Sequence, residues 1–378
     1  MRIMHAVTLV SHDGSYGGPV SVATAQLRAL HERGHEVVLT ALWTGAGHPP
    51  SSIDSIRLHA AKAATLVPGT GFLGLFSLRY ARILFREVGA ADVVHVHTGR
   101  DLASLAALGV AAIRGKPVLV QTHGMVDVRT GRCARMFDLV LRPLIRRATA
   151  CLVLTSTEGT GLAAVLGTPS PPLVTLPNGV RPVGQRDRPA DNSHPSVLFL
   201  ARLHARKRPM AFVQAADIIR RALPAVRFDI YGPDEGSFDR VQSEITRLGL
   251  HHVVTYHGAV DHEKAQQVTA AANVYVLPSV REPFPMSVLE ALALGTPVVC
   301  TRSTGISDEL ERRGAAVVTD GSPEQLAAAT EAILTDPQLR DQLISAGHRA
   351  VSEVFCIDAV AAILEKLYLS AARRRTCR

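Results

Sequence analysis

Short, continuously apolar runs alternate with longer runs of helical period along almost the whole chain. The first are RIMHAVTLVS, VSVATAQLRALHERG and HEVVLTAL, followed by ADVVHVH, DLASLAALGVAAIRG and KPVLVQTHG. Strands that carry apolar residues on both faces belong to parallel sheets covered by helices on both sides, since only there do both faces leave water. The expected fold class is therefore α/β.

The alternation breaks once, at VTLPNGVRPVGQRDRPADNSHPSVLFLARL, where prolines, Asn178, Gly179, Gly184 and many charges separate one strand-like run from the next. Such a composition marks a linker. The pattern then restarts with FVQAADIIRRALP, VRFDIYG, HHVVTYHG, ANVYVLPS and TPVVCT. At 378 residues the chain is also longer than one hydrophobic core usually supports. Two α/β domains are expected, residues 1–178 and 185–355, facing each other across a hinge.

Composition removes several function classes. The five cysteines form no CxxC pair, so neither a zinc site nor a disulfide framework is expected. The apolar run at the N-terminus is too short for a secretory core, and no later run reaches eighteen uninterrupted apolar residues. A cytoplasmic protein is the expectation. Nucleic acid is not an expected partner: only 4% of residues are aromatic, with no basic–aromatic interleaving. A net charge of +8 includes clusters at Arg79, Arg82 and Arg86, and at Arg129, Arg132, Arg135, Arg142, Arg146 and Arg147. These form either a solvated face or a surface that meets anionic lipid or a phosphorylated substrate.

The stretch VREPFPMSVLEALALGTPVV concentrates the chemistry. Pro283 and Pro285 forbid a helix directly after the strand-like ANVYVLPS, so Glu282 sits on a loop at a strand's carboxyl end. A helix begins near Met286, carries Glu290 in its early part and stops at Gly295. Ionised carboxylates only accept hydrogen bonds. Two of them beside a helix N-terminus suit a ligand that carries both hydroxyls and an anionic group, as a nucleotide sugar does. Arg202 and Lys207 follow another strand, VLFLA, at the sheet edge where α/β proteins bind ligands. Near the N-terminus, SHDGSYGGPV places Gly14, Gly17 and Gly18 after the first strand, which makes either a tight turn or a loop that closes on an anion. His95, His97 and His123 lie at the ends of two further strands, with His97 expected to be structural. The literal GxGxxG at Gly69, Gly71 and Gly74 follows Pro68 instead of a strand, and it is not a dinucleotide fingerprint.

Together these segments resemble the retaining glycosyltransferases of the E-x7-E type with the GT-B fold, the large family that includes sucrose synthases and bacterial surface-polysaccharide transferases. The resemblance runs through LFLARLHARKRP, IYGPDEG, VTYHGAV and EPFPMSVLE, and it covers essentially the whole chain. It implies two Rossmann-like domains, with a terminal helix over residues 357–374 packing back on the first. It implies a UDP- or GDP-linked sugar donor and transfer to a hydroxyl with retention of anomeric configuration. The acceptor would be a saccharide, a lipid-linked or a small molecule. No cofactor and no metal are implied, and the chain has no D-x-D triplet.

In the roles so implied, Arg202 and Lys207 hold the diphosphate, and Glu282 holds sugar hydroxyls and steadies the oxocarbenium-like centre. Glu290 takes the ribose, and His123 lines the site near the transferred sugar. Gly17, Gly18 and the segment around Phe284, Met286 and Ser287 complete the donor contacts. The chain departs from the family at Pro285, where glycine is usual and its N–H commonly touches the sugar, and at Phe355–Ile357, where FCI replaces Phe-Ser-Trp. The competing classes are a nicotinamide oxidoreductase, which lacks its glycines here, a much longer PLP-dependent phosphorylase, and a non-catalytic sugar- or nucleotide-binding protein.

Overall fold

A computed structural model describes residues 1–11, 17–67, 71–183 and 194–376. In chain order the first part runs through β1 (Arg2–Ser11), α1 (Gly17–Glu32), β2 (Glu36–Thr44), β3 (Ser52–Ile53), β4 (Ile56–Lys62), β5 (Ala64–Thr65), β6 (Leu75–Phe76) and α2 (Leu78–Ala90). It continues with β7 (Val93–His97), α3 (Leu102–Ile113), β8 (Val118–Gln121), α4 (Arg132–Ile145), β9 (Ala150–Val153), α5 (Ser156–Leu166) and β10 (Leu173–Thr175). The second part holds β11 (Ser196–Leu200), α6 (Pro209–Ala222), β12 (Arg227–Tyr231), α7 (Phe238–Arg247), β13 (Val254–Gly258), α8 (His262–Ala271) and β14 (Val274–Leu277). After these come α9 (Met286–Ala293), β15 (Val298–Thr301), α10 (Ser307–Arg312), β16 (Val317–Thr319), α11 (Pro323–Thr335), α12 (Pro337–Glu353) and finally α13 (Ile357–Thr376).

Contacts divide the chain into two compact units, Met1–Gly179 with Ile357–Arg378, and Val180–Cys356. The sheet of the first unit has the order β10-β9-β8-β7-β1-β2-β4-β3, parallel throughout except for the short edge pair β3 and β4. In the second unit the order is β13-β12-β11-β14-β15-β16, all parallel. Each sheet thus reverses its winding once, between β1 and β7 in the first unit and between β11 and β14 in the second. Connections leave in opposite directions at such a reversal, and a crevice opens at the carboxyl ends of the two strands.

Burial explains the continuous apolar runs. Leu39, Leu119 and Leu152 pack on one face of the first sheet beneath α1 and α13, while Val94, Val120 and Val153 face α2, α3, α4 and α5 on the other. Helix α13 joins this core through Ile357, Val360, Ala361, Leu364, Tyr368 and Ala371, a helical stripe. In the second unit the core gathers Phe199, Phe212 and Phe228 around β11, β12 and α6. Gly232 is required at the exit of β12: with φ of +137°, a Cβ there would lie 2.0 Å from the Ala201 carbonyl oxygen.

Candidate active site

Of the residues expected to bind a donor, Arg202, Lys207, Glu282 and the start of α9 lie at the reversal point of the second unit. A single 3-10 turn, Ala205–Lys207, follows β11, and its Arg206 carbonyl accepts the Val280 N–H at 2.9 Å, which ties it to the exit of β14. That bond sets Lys207 Nζ 2.5 Å from Glu282 Oε2, both side chains largely buried, with Arg206 reaching the same carboxylate at 4.0 Å. Burial pulls the Lys207 pKa down, while Glu282 acts against it and keeps a charged partner in place. Glu282 is itself fixed through its backbone: its carbonyl accepts the Gly305 N–H at 2.8 Å, and Arg281 before it takes a left-handed φ of +50°. Left-handed backbone in a non-glycine residue persists only where neighbours impose it, and such positions gather at functional sites. Arg202 meets Glu235 at 2.6 Å, so both cations singled out in the sequence already hold carboxylates.

Helix α9 opens beside this pair. Its N-cap is Pro285, which offers no side-chain acceptor, so no side chain caps the first turn. The Tyr275 hydroxyl lies 2.8 Å from Ser287 Oγ and 3.1 Å from the Leu200 carbonyl oxygen, joining the exit of β11 to the first turn of α9. Ser287 and Met286 are half-buried there. The Phe284 ring is buried edge-on against Phe355, centroids 6.0 Å apart, which leaves its backbone for a ligand. Glu290 is half-buried on the second turn, and burial pushes its pKa above the ordinary carboxylate value.

His123 lies in the first unit, at the exit of β8, with a left-handed φ of +51°. Glu158, at the start of α5, holds this turn: Oε1 accepts the Thr122 hydroxyl and the Gly124 N–H, both at 2.5 Å, and Oε2 accepts the Leu154 N–H at 2.6 Å. Burial pulls the His123 pKa down to about 3, so its imidazole is neutral at physiological pH. Its Nε2 lies 2.7 Å from His97 Nδ1, which makes His97 a direct partner of the site histidine and not merely a packing residue. Gly17 begins α1 and Gly18 is exposed; a Cβ on Gly18 would meet nothing within 4 Å, so packing does not demand glycine there. Gly14, Gly69 and Gly184 lie outside the described residues. Gly71 and Gly74 bound a 3-10 turn between β5 and β6, away from any strand-to-helix crossover.

Sequence reasoning missed Arg206, Glu235, Glu158, His5 and Tyr368. Arg206 was readable as the charge next to Lys207, and Glu235 as a carboxylate inside the segment IYGPDEG. His5 pairs with His95 across β1 and β7, and a register between strands nearly ninety residues apart has no signal in a single sequence.

Two family models match in succession, a glycosyl transferase 4-like domain over residues 17–179 and glycosyl transferases group 1 over residues 183–350. Both parts of the chain thus match glycosyl transferase families. Among curated relatives, D-inositol 3-phosphate glycosyltransferase of Paenarthrobacter aurescens is 34% identical over 199 residues, 51% of this chain and 46% of that protein. A second enzyme of that name from Arthrobacter is 28% identical over 68% of this chain, and the match spans 65% of its length. The chain thus matches roughly half to two thirds of the length of these relatives. Alpha-D-kanosaminyltransferase of Streptomyces kanamyceticus is 26% identical, covering 76% of this chain and 82% of the relative. Among solved structures, Anabaena HepE in complex with UDP and glucose superposes with a TM-score of 0.76 at 17% identity, over 98% of this chain and 100% of that one. Sucrose-phosphate synthase of Thermosynechococcus elongatus gives 0.77 at 20% identity, over 98% and 99%. These likenesses show the GT-B fold.

Proposed function

We propose that this protein is a glycosyl transferase that moves a sugar from a nucleoside diphosphate, UDP- or GDP-linked, to a hydroxyl of a saccharide, lipid-linked or small-molecule acceptor. In this reading anomeric configuration is retained and no metal or other cofactor takes part. The observation that carries it is the Lys207–Glu282 pair at the reversal between β11 and β14, beside the uncapped first turn of α9. A departing diphosphate needs positive charge that is already in place, and two cations with a helix N-terminus supply it. Lys207 and Arg202 turn from their carboxylates towards the phosphates. Glu282 thereby regains acceptor capacity for the sugar hydroxyls, and Glu290 accepts from the ribose.

As the anomeric carbon–oxygen bond breaks, its electron pair stays on the phosphate oxygen. Retention requires the acceptor oxygen to arrive on that same face, where its proton can pass to the departing phosphate. His123, neutral, orients a hydroxyl and carries no charge itself. The HepE complex, which holds UDP and glucose, favours a UDP donor here.

The reading extends to a site of action. Helix α4 exposes Met136, Leu139 and Val140 in one stripe, with Arg132, Arg135, Arg146 and Arg147 exposed around it. An apolar stripe flanked by arginines suits the interface of an anionic membrane, so the protein works as a peripheral protein on a cytoplasmic membrane face. Among the described residues no helix is long and apolar enough to cross one.

The deciding experiment is a melting series with UDP, GDP and NAD, followed by mass spectrometry of nucleotide sugars incubated with the protein. A ligand at about a hundred times its Kd stabilises by about 2.7 kcal/mol. UDP or GDP raising Tm, with hydrolysis of one sugar nucleotide, is the expected result; stabilisation by NAD alone would overturn the reading.

A further inference from the structure

Four histidines and a tyrosine form an unbroken chain of hydrogen bonds through the core of the first unit. His123 Nε2 lies 2.7 Å from His97 Nδ1, and His97 Nε2 lies 3.0 Å from His5 Nδ1. From His5 Nε2 the next step is 2.9 Å to the Tyr368 hydroxyl of α13, which lies 2.7 Å from His95 Nδ1. The chain ends there, because His95 Nε2 is buried with no partner. His5, His95 and Tyr368 are fully buried and His97 is 1% exposed. At the other end His123 Nδ1 has no hydrogen-bond partner among the described residues.

His5, His95 and His97 stand close enough together to be weighed as metal ligands. An imidazole binds a metal in its own ring plane, and the His95 and His97 rings are stacked, 13° apart in plane with centroids separated by 4.5 Å. Two nearly parallel, separated planes share no point at bonding distance. As arranged, the cluster is a hydrogen-bond relay and not a cation site.

Burial holds His5, His95 and His97 neutral, each well below the ordinary histidine pKa. A neutral imidazole has one N–H and one acceptor nitrogen, so the direction of one bond fixes the direction of the next. Only two polarities satisfy the whole chain. If Tyr368 donates to His95, then His5 donates to Tyr368, His97 to His5 and His123 to His97. His123 Nδ1 is then a bare acceptor and His95 keeps a buried, unpaired N–H. If Tyr368 donates to His5, every bond reverses: His123 Nδ1 carries the proton, and His95 is left with only an unpaired lone pair. Orphaned N–H groups are the rarer defect in protein interiors, which favours the second polarity.

We propose that Tyr368, His5 and His97 are positioning residues that hold His123 with its proton on Nδ1, so that the strand-end imidazole offers the substrate a hydrogen-bond donor. Only the consequence for catalysis rests on the proposed function; the tautomer belongs to the unliganded protein. Without the His97 ring, His123 Nε2 loses its partner, and the chain no longer chooses its tautomer. Replacing His95 by phenylalanine has the opposite effect, since Tyr368 then has only His5 to donate to.

The test is the ring 15N spectrum of histidine-labelled full-length protein without ligand. Wild type is expected to show His123 as a single Nδ1–H tautomer; an Nε2–H form or a mixture would overturn the proposal. His97→Phe is expected to give a mixture and His95→Phe to stay single, whereas a single Nδ1–H form in the first or a mixture in the second would refute the coupling. A mere packing defect would not separate two ring-for-ring replacements in one cluster. Should either variant fail to fold, the wild-type spectrum decides. In turnover, His97→Phe is expected to lower kcat about tenfold with the donor KM unchanged. If no sugar nucleotide is turned over by any form, the glycosyl-transfer reading fails while the tautomer result stands.

Discussion

Glu290 carries the clearest consequence of burial at the scale of one residue. Its carboxyl pKa is raised in the folded chain above the ordinary value of 4.5, so the folded state keeps a proton that the unfolded state has lost. Stability from this group is therefore fully present below pH 4.5 and falls as pH rises through the folded-state value. Glu290→Gln, neutral at every pH, is expected to melt roughly 1–3 °C higher than wild type at pH 7 in scanning calorimetry. The same change should weaken UDP binding ten- to a hundredfold, the worth of a charge-assisted hydrogen bond of about 1.5–3 kcal/mol. Binding must also expel the proton, so wild-type affinity should rise with pH just above the carboxylate range, and titration in two buffers would show proton release. Unchanged affinity in the variant would take Glu290 out of the site. Lys207→Ala is expected to cut kcat about a hundredfold, with less change in KM, because it serves charge that appears as the diphosphate leaves; a kcat within twofold of wild type would remove that role. Glu282, Arg202, Lys207 and His123 could be singled out as candidates because they follow strand-like runs, and Glu290 because it falls early in a helix whose start is marked by proline. Glu158 and Tyr368 were not legible: what they do depends on which turn or ring lies against them, and only the fold decides that.

Among the elements, α9 and α4 show where pattern reading succeeds and where it stops. The start of α9 at Met286 and its end before Gly295, which has φ of +74°, follow from proline and glycine alone. For α4 the arginines were visible, but the apolar stripe among them was not. Met136, Leu139 and Val140 lie exposed on this helix, whose buried side chains are Leu141 and Ile145. Leu139 stays 78% exposed, and scattered exposure of that kind is ordinary until it forms a stripe beside charge. Co-sedimentation with phosphatidylglycerol vesicles at low salt should capture the protein. Exchanging Met136 and Leu139 for serine should weaken capture severalfold, and replacing Arg132, Arg135, Arg146 and Arg147 by glutamine should abolish its salt dependence. Equal sedimentation of wild type and both variants, or none by any of them, would leave α4 a solvated helix.

The whole molecule has two sheet reversals of the same kind, and a diphosphate must choose between them. Both lie at strand carboxyl ends, and both gather the polar residues of their unit, so topology alone does not decide. Charge does. Around the exits of β11 and β14 stand Arg202, Arg206 and Lys207, with an uncapped helix start beside them. Near the exit of β7 the first unit offers neutral histidines and Arg100, which is buried and already bound to Asp138 at 2.8 Å. A doubly charged ligand gains from the first environment and would lose hydration without compensation in the second. An uncharged hydroxyl acceptor suits the histidine end, where no charge has to be met. Hydrogen exchange on the full chain separates the two assignments. UDP should slow the amides of residues 201–208 and of the first turn of α9, leaving those at the free ends of β13 and β16 unchanged. Protection confined to the exits of β1, β7 and β8 would move the nucleotide to the first unit and, with it, the roles assigned to Lys207 and Glu282.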